Sequence, residues 1–143
     1  MNFKKEAKIM AAILAAPLFL GLVIGLVGPK IIEKSCDNRL VPRYRSPDDK
    51  YEMVLFQRDC GATTGFLSQI SILKAGKELP RRKGNIFIAD DGDKRMPFGA
   101  WGGPLIEIKW TANDDVLVEY PEGSRVFLNE KQYEKVHIAY RTR

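Results

Sequence analysis

The chain has 143 residues, room for one domain of ordinary size. Its 23 Lys and Arg face 18 Asp and Glu, a formal charge of +5. Nucleic-acid recognition requires a dense basic face interleaved with aromatics, and here the basic residues are scattered among acids. The mild excess suits solubility or loose attraction to anionic lipid headgroups.

From residue 9 to residue 27 no side chain is charged. As a helix this run would be ~28 Å long, close to the ~30 Å hydrocarbon core of a bilayer. Pro17 and the glycines within it are costly in soluble helices but tolerated in transmembrane ones. A cleaved signal peptide has a shorter apolar region, roughly 7–15 residues, ending at a small-x-small site. Only weak sites such as Val23-Ile24-Gly25 are present, and Glu33-Lys34-Ser35 before Cys36 is no lipobox. One uncleaved N-terminal transmembrane helix is expected, residues 1–29 forming a cytoplasmic tail and anchor. Lys4, Lys5 and Lys8 on one flank and Lys30 and Lys34 on the other leave the orientation undecided by charge. The short tail and the single possible cysteine pair both favour a C-terminal domain outside the cytoplasm.

Cys36 and Cys60 are the only cysteines, so one intramolecular bridge is possible. Outside the cytoplasm the oxidised pair is the default. Closing the loop between them stabilises the fold by ~3.5 kcal/mol on a chain-entropy argument. Cys60 as a nucleophile would need a nearby base to lower its pKa. His137 is the only histidine, far off in sequence, and no Cys-x-x-Cys is present.

Residues 30–44 read as a connector and 45–143 as the β domain. The turn at 45–50 holds Pro47, Asp48 and Asp49. A strand follows over 51–58, apolar on both alternating faces and therefore central and well covered. After the Cys60 turn, 66–73 places Phe66, Ile70 and Ile72 on one face and Gln69 and Ser71 on the other. A short strand covers 85–89, and the longest unpatterned piece is 94–103. Over 105–110 the alternation is the cleanest in the chain, with Ile106, Ile108 and Trp110 on one side and Glu107 and Lys109 on the other. A hairpin turn at 113–115 leads to a strand over 116–120, another over 125–128 and a last one over 135–141, with Val136, Ile138 and Tyr140 inward. Hairpin spacing predicts an all-β fold, a small antiparallel sandwich or twisted meander of about seven strands, paired consecutively.

Ser46-Pro47-Asp48-Asp49-Lys50-Tyr51 resembles the turn that opens strands in periplasmic propeller repeats, though the chain is too short for several blades. The apolar segment, the cysteine shortly after it, this turn and Arg58-Asp59-Cys60-Gly61-Ala62-Thr63-Thr64-Gly65 together resemble small membrane-anchored bacterial envelope proteins. The likeness spans roughly residues 36–120. It implies an envelope location and a disulfide, and brings no catalytic residues.

Candidate sites are few. Arg58, Asp59, Gly61, Thr63, Thr64 and Gly65 read as a structural turn around Cys60, the threonine hydroxyls bonding turn backbone. Asp90-Asp91-Gly92-Asp93 lacks the ligand spacing of a calcium loop, and His137 alone cannot build a zinc site. No catalytic residue, metal or cofactor is assigned. Long glycine-rich loops with aromatics often carry contacts, which makes Phe98 and Trp101 candidates for partner binding. The expectation is a non-enzymatic domain tethered to the bacterial inner membrane by one helix, with its C-terminal domain in the periplasm and a protein partner in the envelope. The alternatives are a thiol enzyme using Cys60 with Asp59 or His137, and a structural subunit acting through its helix.

Overall fold

The computed structural model describes residues 16, 17, 19–22, 24, 25, 36–60, 67–92 and 95–143. Most of the expected anchor lies outside these residues; those of it that are described are helical. Among the described residues no helix is long and apolar enough to cross a membrane. The chain divides into a unit over Met1–Ser35 and a compact unit over Cys36–Arg143.

The second unit is an all-β sandwich with nine strands among its described residues: β1 (Asp37–Arg45), β2 (Tyr51–Asp59), β3 (Ser68–Lys74), β4 (Phe87–Asp90), β5 (Glu107–Trp110), β6 (Asp115–Tyr120), β7 (Arg125–Asn129), β8 (Gln132–Tyr133) and β9 (Val136–Thr142). One sheet runs β1-β2-β3-β4-β7 and the other β5-β6-β9-β8. Two expectations are corrected. The stretch expected as a connector over 30–44 contains most of β1, an edge strand whose charges and Pro42 obscure it. A bulge between Leu40 and Arg43 takes up the proline, which has no N–H to give to a ladder. Pairing is also not consecutive throughout, because β6 and β9 run parallel, Val116 beside Ile138 and Val118 beside Tyr140.

Apolar alternation packs the sheets. Met53, Leu55, Ile70, Ile72 and Phe87 of the first meet Ile108, Val116, Val118, Val136 and Ile138 of the second in one buried cluster. Phe87 stacks on Tyr140, ring centroids 5.6 Å apart. The indole N–H of Trp110 donates to the Tyr44 carbonyl at 3.0 Å, joining β5 to β1.

The outer face of β2 and β3 is buried as well. Val54, Phe56 and Leu73 form a second cluster closed by Leu79, from the loop over 77–86. Polar groups pin this loop. The Gly84 N–H donates to Gln69 Oε1 at 2.7 Å, and the Asn38 amide donates to the carbonyls of Pro80 and Arg82. Asn85 mimics a strand residue, accepting from the Ile72 N–H and donating to the Ile72 carbonyl. A Cβ at Gly84 would lie 2.8 Å from the Ile70 carbonyl oxygen, so only glycine permits this approach.

Glu52 is buried on the same face, its carboxylate held by Arg43 at 2.7 Å and by Arg45 at 2.8 Å. The Arg45 hydrogen bond outweighs burial and, with Arg43, holds the carboxyl below its ordinary range. A depressed carboxylate contributes stability that is full above the unfolded value near 4.5 and is lost as pH falls through the folded one. Glu52→Gln is expected to flatten the loss of Tm below about pH 4.5 in acid titrations followed by circular dichroism. The double variant Arg43→Met/Arg45→Met leaves the carboxylate buried without its cations and is expected to cost more, about 3–5 kcal/mol in urea unfolding at neutral pH.

Candidate functional site

Cys36 and Cys60 are joined by a disulfide. The bridge ties the residue before β1 to the residue after β2, across the rung where Asp37 faces Asp59. Arg58 is buried and donates to the Asn38 side-chain carbonyl at 2.9 Å, so one member of the expected turn is a strand residue under the covering loop. Asp59 is exposed at the end of β2. Gly61, Thr63, Thr64 and Gly65 lie outside the described residues.

The loop before β5 is built around Trp101. Its indole N–H donates to the Ser68 hydroxyl at 2.9 Å, and that hydroxyl donates to the Pro104 carbonyl at 2.8 Å. Ser68 is fully buried and thereby satisfied in both directions. The Trp101 ring lies over Gly99, where a Cβ would come within 2.3 Å of it, and Gly102 turns the chain at φ 89°. Trp101 therefore folds back and packs half-buried against the core, while Phe98 is left 48% exposed at the mouth of the loop.

These two regions meet. Trp101 and the disulfide end of the β1–β2 ladder line one cleft of about 280 Å³, together with Asp37, Arg39, Gln57 and Asp59. In the ladder Asp37 faces Asp59 and Arg39 faces Gln57 on adjacent rungs of the same face. This is the inner face, continuing the series Tyr51, Met53 and Leu55, which turns polar where the sandwich ends. The polar switch at Gln57 and Asp59, in step with the buried apolar positions, is the sequence signal for the cleft. It does not stand out in a strand read as buried on both faces.

The other candidates stay apart from this cleft. His137 is exposed on β9, its Nδ1 3.4 Å from Asp115, and does not line the cleft with Asp59. Asp90 is buried at the end of β4, where it accepts from the Gly92 N–H at 2.9 Å and pairs with Arg125. Comparison with protein-family models, with curated proteins and with solved structures finds no match.

The seating of Trp101 is open to test. Ser68→Ala strands the indole N–H and the Pro104 carbonyl and is expected to cost about 1–3 kcal/mol. Gly99→Ala displaces the ring, and in a Trp110→Phe background its fluorescence should shift to the red, as for an indole moved into water.

Proposed function

We propose that the chain is a membrane-anchored, extracytoplasmic binding or accessory domain of the bacterial envelope, tethered by its N-terminal helix and acting on a protein partner without catalysis of its own. The observation that carries this reading is the paired aromatic loop and disulfide corner. A cross-linked ladder end and a pinned tryptophan give a rigid rim, and Phe98 projects from it as an exposed apolar anchor of the kind that interfaces use. The disulfide supports an oxidising compartment. It also argues against a thiol mechanism, since neither sulfur is a thiolate in this state. Among the described residues of the apolar segment, Phe19, Leu20, Leu22 and Ile24 are each mostly exposed, as side chains facing lipid would be.

Phe98→Ser is expected to abolish capture of the partner when the intact chain is cross-linked in its own membrane, with Tm unchanged. Retained capture would remove Phe98 from the interface. For the location, alkaline phosphatase fused after Arg143 is expected to be active. An inactive but well-expressed fusion would put the domain on the cytoplasmic side.

A further inference from the structure

We infer that the loop tip Arg81-Arg82-Lys83 binds the phosphate groups of anionic phospholipids on the surface of the membrane that tethers the chain. This rests on the anchored reading only for bringing a bilayer within reach.

The charge of the β unit is concentrated in one place. Residues 36–143 carry 18 Lys and Arg against 16 Asp and Glu, a net +2. The loop over 77–86 carries Lys77, Arg81, Arg82 and Lys83 against Glu78, a net +3, so everything outside it sums to −1. The whole positive excess of the unit therefore lies in this loop. Arg81, Arg82 and Lys83 are all exposed. They form no ion pair or side-chain hydrogen bond among the described residues, whereas Arg43, Arg45, Arg125 and Arg141 each hold a carboxylate.

The fold fixes the backbone of the tip without using its side chains. Leu79 supplies the apolar cover, and Gly84 and Asn85 the contacts to Gln69 and Ser71. Between them, the Asn38 amide holds the carbonyls of Pro80 and Arg82 at 3.0 and 3.2 Å, and the Arg82 N–H closes a tight turn on Pro80 at 2.7 Å. Three neighbouring cations on a pinned backbone cannot move apart, and an anionic surface relieves their repulsion. A backbone already ordered also loses little entropy on binding. Each guanidinium fork matches a phosphate, and the Lys83 ammonium adds a point charge.

Position selects the occupant. Asn38 stands two residues after the bridged Cys36 and eleven after the uncharged run ends at residue 27. Eleven extended residues reach about 40 Å at most, and Lys30 and Lys34 lie along them. Basic clusters next to a membrane-embedded segment are attracted to anionic headgroups. A covalent tether holds two such surfaces at an effective concentration on the order of millimolar, so a few charges suffice. The loop has no aromatic side chain, so the stacking that single-stranded nucleic acids use is missing.

The test is phenylglyoxal labelling of the full chain, read by peptide mass spectrometry, in vesicles of phosphatidylcholine alone or with one third phosphatidylglycerol. Labelling of Arg81 and Arg82 is expected to slow at least threefold in the anionic vesicles and to recover at about 1 M salt, where the Debye length is about 3 Å. Arg45, at the far end of β1, should keep its rate. Lys83→Gln should bring Arg81 and Arg82 back toward their rate in phosphatidylcholine with Tm unchanged. Equal labelling in the two vesicles would overturn the site. Equal shielding by free glycerol phosphate or by polyglutamate, each added to phosphatidylcholine vesicles, would overturn its assignment to lipid. Flotation with phosphatidylcholine vesicles reads the anchor separately. A chain that floats there without shielding in anionic vesicles refutes the tip alone. If it does not float there, flotation with anionic vesicles that is lost in Arg81→Gln/Arg82→Gln/Lys83→Gln upholds the tip without the anchor, and no flotation with either refutes both. Phe98 takes no part in these readouts, so a failed cross-link there is a separate result.

Discussion

On the outer face of β2 and β3, Val54, Phe56 and Leu73 share the surface with Glu52, Gln69 and Ser71, and all six are buried. A polar group taken out of water without a partner costs about 1–3 kcal/mol, so this face cannot be closed by an apolar layer. The loop over 77–86 meets both demands. Leu79 covers the apolar cluster, and backbone N–H groups of Gly84 and Asn85 reach Gln69 and Ser71. Arg43 and Arg45 come in from β1 to neutralise Glu52. Asn38 then holds the far side of the loop, so the edge strand and the cover brace each other.

That bracing explains where the cleft sits. β1 is fixed to β2 by its ladder, by the covering loop and by the Cys36–Cys60 bridge. The ladder end is therefore stiff without needing a second sheet over its inner face. There the apolar series of β2 stops, and Trp101 covers the remaining width from a loop rather than from a strand. The result is a polar recess with rigid walls, the condition under which a small number of charges can be selective.

Much of the sandwich was legible in the sequence. β5, β6 and β9 each have one solvated face, so strict alternation marks them, and Val136 and Ile138 are buried as their spacing requires. β2 reads as doubly covered because its apolar residues occupy both parities. β1 was hidden because an edge strand carries charge and proline to avoid pairing with other chains, and those residues imitate a connector. β8 is only two residues long. The parallel β6–β9 pair could not be read, since it depends on a contact that no local pattern encodes. At the candidate site cysteine arithmetic fixes which pair can bridge, and the expected location outside the cytoplasm supplies the reason for it to be oxidised. Trp101 was singled out, but its role as a wall depends on Ser68, a residue in another element that reads as an ordinary polar strand position.

The parallel pair also bears on the order in which the molecule is made. β9 lies between β6 and β8 in the second sheet, yet it follows both of them in sequence and is synthesised after them. Until residue 142 is free, β6 has only β5 beside it, and Val116 and Val118 have no neighbour on their other flank. The first four strands, by contrast, pair with successive neighbours and can assemble as synthesis proceeds. Biogenesis thus divides into an early half that closes locally and a late half that waits for β9, with the apolar inner faces open in the interval.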